Sequence, residues 1–394
     1  MLPANMTTQL RRDNPVSLGS VLKSSRSGRS RRWPLVVLAL GLAGFAGLAV
    51  SRPGAIPGVR LLQTIPQASA HSAAAPVNCA PRPQQLQQDL SAIARQFEGK
   101  VGIAVAQAGC NWVVGERLDQ YFPQQSVSKL WVAISVLDAA DRGQLRLDEP
   151  ITLLPQDQVV FNQPLRWTVL KQGSLTLPAQ QLMADALSLS DNMANDKLLW
   201  RVGGPDHVRA VLAQRGITGI RFGPGERLLQ SHIAGLTWTP DLATGYKFEE
   251  ERAKLPIGLR KNLLSAYIAD PLDGATPAGI AGALGKLARG ELLSSGSTDV
   301  LLGIMQHSKS GPQRLKGGLA PGWTAFHKTG TGQELAGVAT GYNDVAVFQA
   351  PDGMRYAVAV MIGETRLPIK ARMEMMQSVS RAVIAGHERM LSQR

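Results

Sequence analysis

The hydrophobic pattern divides the chain into unlike stretches. Residues 35–50, LVVLALGLAGFAGLAV, are apolar without interruption and carry no charge. Residues 51–81, rich in Pro, Ala, Ser and Gln, show no period and read as a linker. Beyond them Leu86, Leu90, Ile93 and Phe97 recur at helical spacing, and VGIAVAQ and WVVGE predict strands over 101–107 and 112–116. From about 126 to 320 the patterns are mostly helical, as in LPAQQLMADALSLS and TPAGIAGALGKLARGELL. Strands return in AGVATGY, DVAVFQ and RYAVAVMIG, with Pro351-Asp352-Gly353 turning between the last two. A final helix over about 367–391 presents Met375, Val379, Ala382 and Val383 on one side. Strands at both ends of a helical middle predict an α+β fold over 82–391. It has one antiparallel sheet flanked by helices and an inserted helical lobe at about 126–320. A cleft between the lobes is the expected site.

Charge refines the N-terminal picture. The net charge of +13 suggests nucleic-acid binding until it is located. Residues 1–60 hold nine Lys/Arg against Asp13 alone, while the rest of the chain carries 33 basic and 28 acidic residues. That remainder is a mixed-sign, solvated surface, so no nucleic-acid partner is expected. The basic leader, 1–34, ends in RSGRSRRWP just before the apolar run, the arrangement of a signal peptide or signal anchor. Sixteen apolar residues are short for a span and favour a signal; the long leader favours an anchor. Either way the body is exported, to the periplasm or anchored in the inner membrane facing it.

Export places Cys79 and Cys110 in an oxidising compartment. Cys79 precedes the first helix and Cys110 sits in the turn between the first two strands. A strand returning along that helix brings the turn back to the helix start, which predicts a structural disulfide. Two cysteines cannot make a four-ligand zinc site, and six scattered histidines form no HExxH pair, so no metal is expected.

Three motifs carry candidate chemistry. Ser126-Val127-Ser128-Lys129 opens the apolar run LWVAISVLDAA, placing Ser126 and Lys129 on one face of a first helical turn. A helix start supplies free N–H groups for an oxyanion, and a desolvated lysine can act as base for a serine. Ser190-Asp191-Asn192 ends one amphipathic helix and begins MANDKLLWRV. Lys328-Thr329-Gly330-Thr331-Gly332 precedes the strand-rich end. Each alone reads more simply as a cap, a helix junction or a glycine turn. Their order together is far more specific.

In that order they resemble the class A β-lactamases of the serine penicillin-recognising family. YFPQQSVSK, SLSDNMANDKLLWRVGGPDHV, SKSGPQRLKGGLAPGW and HKTGTG are similar to that family's segments, and the likeness covers roughly 82–391. It implies a five-stranded antiparallel sheet with helices beside an all-helical lobe. Ser126 would be the acylated nucleophile and Lys129 its base or part of the proton path. Ser190 would pass the proton to the leaving nitrogen, and Asn192 would hold the substrate's amide side chain. Lys328, Thr329, Gly330 and Thr331 would bind the substrate carboxylate, with the N–H groups of Ser126 and Thr331 as oxyanion hole. Arg314 in QRLKGG aligns with a carboxylate-binding arginine of some relatives, its other reading being a surface charge. Glu226, 36 residues after Ser190, aligns with the glutamate that activates the deacylating water, and Gln230 stands where the family usually has Asn.

The match is strained around Glu226. The arginine expected two residues earlier is Pro224, which puts in question the clasp across the omega loop to the acidic position, here Asp273. Arg221 is the candidate substitute. Residues 231–270 form an extra, partly helical segment that either caps the cleft or is a surface insertion. Tyr342 replaces an arginine common in relatives, which shifts carboxylate binding to Arg314.

The resemblance implies a serine β-lactamase acting on a small-molecule β-lactam as a monomer, with no cofactor. The alternatives are a DD-peptidase or related acyl hydrolase, and a non-catalytic β-lactam sensor.

Overall fold

The computed structural model describes Cys79 and residues 81–393. The leader, the apolar run and nearly all of the linker lie outside the described residues. Within them no helix is long and apolar enough to cross a membrane.

The chain opens with α1 (Gln84–Gln96), β1 (Gly99–Gln107) and β2 (Val113–Glu116). The helical lobe follows, with α2 (Lys129–Asp141) and α3 (Asn192–Arg201) at its centre. Next come α4 (Glu226–Ala234), α5 (Lys247–Lys254), α6 (Ile257–Ala269), α7 (Pro277–Ala288) and α8 (Ser295–Gln306). The strands β3 (Thr324–Gly330), β4 (Tyr342–Gln349) and β5 (Arg355–Thr365) lead into α9 (Ile369–Ser392).

The five strands pair in the order β2-β1-β5-β4-β3, every pair antiparallel. Both faces are covered, which is why VGIAVAQ and RYAVAVMIG read as nearly unbroken apolar runs. Val101, Ile103, Val105, Val358 and Val360 pack against α1 and α9, with Leu86, Leu90, Met376 and Val383. Ala104, Ala357, Ala359 and Met361 point the other way, into a core shared with α7 and the helical lobe. In α2, Lys129 through Ala139 are all buried, so its hydrophobicity runs round the whole helix, as expected of a lobe's central helix.

Cys79 and Cys110 are joined by a disulfide, Cα–Cα 5.5 Å, at the start of α1. Three readings of the chain need correction. The helix at Pro277–Ala288, grouped above with the helical middle, lies against the sheet, where Ile280 and Leu284 are buried. AGVATGY is not one strand: it contributes a two-residue strand, Val338–Ala339, to a short hairpin with Glu334–Leu335. Conversely, TAFHKTG is a full strand whose polar Lys-Thr end hides its pattern.

Candidate active site

The site lies where α2, α3, α4 and β3 converge. A cleft of about 430 Å³ is lined by Ser126, Ser190, Asn192, Glu226, Thr329 and Thr331, together with Phe161, Arg314 and Gln333. Ser126 sits in the 3-10 turn Gln125–Ser128 that feeds α2. Gln125 before it and Ser190 across the cleft both hold left-handed backbone, φ 53° and 59°. Strain in non-glycine residues persists where the surroundings over-determine it. β3 approaches the Ser126 turn so closely that a Cβ on Gly330 would strike the carbonyl oxygen of Gln124. Glycine is required there.

Two ammonium groups converge on Ser190. Lys129 Nζ donates to Asn192 Oδ1 at 2.5 Å, to the Ser190 carbonyl at 2.7 Å and to Ser190 Oγ at 3.2 Å. Lys328 Nζ donates to the same Oγ at 3.0 Å and to the Thr329 carbonyl at 2.9 Å. Both lysines are buried. Burial pulls the proton affinity of Lys129 down, against the fields of Glu226, Asp191 and Asp196. Lys328 is lowered well below the usual lysine range by burial and then by Lys129 and Arg314. A hydroxyl between two lysines of lowered proton affinity can relay protons along the cleft.

Glu226 faces the other side of Asn192. Asn192 Nδ2 donates to Glu226 Oε1 at 3.0 Å, and Gln230 Nε2 donates to the same oxygen at 3.1 Å. Gly225, φ 94°, opens α4, and the Glu226 N–H is held by buried Asp196 at 3.2 Å. Burial drives the Glu226 carboxyl up to about 7, against the pull of Lys129 and with a push from Asp196. A carboxyl poised near neutrality fits a general base. Asn192 therefore bridges the lysine and the glutamate.

Arg314 is buried, not a surface charge. It donates to the carbonyls of Asn343 at 2.6 Å and Gly330 at 2.8 Å, and to Thr331 Oγ1 at 2.7 Å. Its guanidinium lies 3.7 Å from the centre of the Tyr342 ring. Thr329 Oγ1 bonds Ser310 Oγ at 2.8 Å. Arginine, lysine and hydroxyls gathered at one end of the cleft suit a carboxylate.

The model of the beta-lactamase enzyme family matches residues 85–386. The chain belongs to the beta-lactamase enzyme family. Among curated proteins it is 28% identical to beta-lactamase VEB-1 of Pseudomonas aeruginosa over 270 residues, 68% of this chain and 78% of that one. It is 26% identical to beta-lactamase CTX-M-25 of Escherichia coli over 303 residues, 77% of this chain and 89% of the other. A solved class A beta-lactamase from Bacteroides cellulosilyticus is similar with TM-score 0.64 and 25% identity, covering 78% of this chain and 99% of that structure. The two-lobe fold is that of the class A beta-lactamases.

Against this beta-lactamase background, the omega-loop clasp is replaced. Arg221 does not reach Asp273: its guanidinium bonds Asp270 at 2.5 Å and lies over Tyr121. Buried Asp273 instead accepts the Gln125 N–H at 2.7 Å and the Tyr267 hydroxyl at 2.8 Å. Tyr267 in turn accepts from Gln125 Nε2 at 2.6 Å. With Pro224 in the arginine's place, a tyrosine from the insertion closes the loop onto the residue preceding Ser126. The insertion folds as α5 and α6 plus the turn Pro240–Ala243. Phe248 of α5 meets the cleft residue Phe161 edge-to-face at 5.0 Å, so the segment walls the cleft. Ser126, Lys129, Ser190, Asn192, Lys328, Thr329 and Thr331 of the three motifs, with Glu226, Gln230 and Arg314, meet at this site. Sequence reasoning missed Phe161, Ser310 and Gln333, which line it. Ser310 was in reach, since SKSG belongs to the resemblance; Phe161 and Gln333 carry no motif.

Proposed function

We propose that the protein is a serine β-lactamase. Ser126 Oγ attacks the lactam carbonyl and gives up its proton to the Lys129 side of the network. Ser190, between Lys129 and Lys328, hands a proton to the departing nitrogen as the C–N bond breaks. The N–H groups of Ser126 and Thr331 stabilise the oxyanion, and Lys328, Thr329, Thr331 and Arg314 hold the substrate carboxylate. Glu226 then takes a proton from water, whose oxygen attacks the acyl carbonyl and releases Ser126. The observation that carries this reading is the buried Glu226 carboxyl, lifted to about 7 and joined through Asn192 to Lys129. Rapid deacylation needs such a water-activating group. The disulfide supports action in an oxidising compartment outside the cytoplasm, reached through the N-terminal export segment.

The test follows a chromogenic cephalosporin and a fluorescent penicillin in one time course with the full chain. Fast colour change with transient labelling is expected. Persistent label without turnover would replace the hydrolase with a penicillin-binding or sensing protein.

A further inference from the structure

The inserted helices bring two arginines together without a carboxylate partner for either. Arg252, in the last turn of α5, and Arg260, in α6, line a cavity of about 10 Å³ with Gln333 and the apolar walls of Ile233, Leu264 and Leu335. The Nε atoms of both arginines are buried and hydrogen-bond to nothing. Among the described residues neither arginine has a carboxylate within ion-pair distance. Glu249 acts on Arg252 only from further off, while burial and Arg260 both work against its charge. Two half-buried like charges, each with a buried Nε that bonds nothing, repel one another, and a counter-charge between them would relieve that repulsion. The volume is about that of one water-sized sphere, which admits a monoatomic anion.

This cavity connects to the cleft. Arg252 Nη1 donates to Gln333 Oε1 at 2.7 Å. Gln333 Nε2 donates to Gln230 Oε1 at 3.0 Å and to the Gln230 carbonyl at 3.2 Å. Gln230 Nε2 then reaches Glu226 Oε1. The direction of each amide is dictated by the one before it: an arginine can only donate, so Gln333 must present its oxygen to Arg252 and its nitrogen to Gln230.

We propose that Arg252 and Arg260 bind one halide-sized anion in this cavity, and that its occupancy fixes the Gln333–Gln230 arm that positions Glu226. The coupling to Glu226 rests on the β-lactamase reading; the binding does not. Thermal unfolding of the full chain is therefore measured first, titrating sodium chloride against sodium gluconate at constant ionic strength. A saturable rise of roughly 2–4 °C with a millimolar half-point is expected with chloride and with bromide. Arg260→Gln should abolish it while leaving the protein at least as stable in gluconate, since the repulsion is gone. Chloride should also speed deacylation about threefold or more in the parent, leave acylation unchanged, and have no effect in the variant. A linear, unsaturable response in the parent overturns the site, whether or not the variant folds. A saturable response that survives Arg260→Gln also overturns it. Halide binding without any change in deacylation keeps the site and overturns the coupling.

Discussion

The two sides of the cleft are built on different principles. On the Ser126 side, α2, α3 and β3 are core elements of the fold, and two buried ammonium groups meet on one hydroxyl, Ser190 Oγ. The contacts to Ser190 there involve a charge, and Ser190 itself holds a strained backbone. On the Glu226 side a single carboxyl is held by amides, Asn192 and Gln230. Behind them stands a chain of further neutral groups, Gln333, Gln125 and Tyr267, running out to the insertion. Neutral hydrogen bonds are weaker and more easily re-registered than charge-assisted ones. The residues proposed to form the bond to the substrate thus stand on the central elements of the fold. The support behind Glu226, by contrast, reaches into the segment 231–270 through Gln125 and Tyr267.

The sharpest break between the sides comes from Ser126→Ala. It should leave less than about a thousandth of parent turnover and no covalent label in a gel assay with fluorescent penicillin. Label retained on the variant would place the nucleophile elsewhere.

The Glu226 side differs in its response to pH. The deacylation rate should fall below about pH 7, as the carboxyl of raised proton affinity takes up its proton. The same shift affects stability. A folded value of about 7 against an ordinary 4.5 means that the protonated carboxyl favours the folded state and that this contribution is lost as pH rises through 7. Glu226→Gln cannot ionise, so it should unfold near the parent temperature at pH 5 and several degrees higher at pH 8. Equal melting temperatures at pH 8 would remove the strain inferred at this residue.

Arg314→Gln sharpens the comparison on the anchored side. It should raise KM about tenfold for carboxylate-bearing substrates, with less change in kcat. An unchanged KM would return Arg314 to a purely structural part beneath Thr331. The smallest effect on the cleft is expected from Cys79→Ser with Cys110→Ser. The bond joins the start of α1 to the β1–β2 turn, on the α1 and α9 face of the sheet. Turnover should stay at the parent level, while stability falls by roughly 3–4 kcal/mol in chemical denaturation, the amount loop closure of this length implies.

What the sequence disclosed follows the same division. Ser126, Lys129, Ser190 and Lys328 stand in short motifs at the ends of strongly patterned elements, so their meeting place was legible once their order was seen. The first and last helices and the central strands were legible because each buries a regular apolar face. β3 escaped as a strand because His327, Lys328 and Thr329 are buried polar residues, where a period-two reading has nothing to count. The replacement of the Arg221–Asp273 pairing by Tyr267 escaped for another reason. Gln125, Tyr267 and Asp273 meet across up to 148 residues through single hydrogen bonds, and no local pattern encodes that distance. Helix α7 was assigned to the wrong layer because amphipathicity says that a face is buried, not against what.

The central claim is that acylation at Ser126 is followed by release through Glu226. Time-resolved mass spectrometry of the full-length parent and of Glu226→Gln, each mixed with a penicillin, tests it most directly. The account predicts a transient adduct on the Ser126 peptide of the parent. In the variant the same adduct should form at a comparable rate and persist at least a hundredfold longer. An adduct that clears from the variant as fast as from the parent would contradict the account.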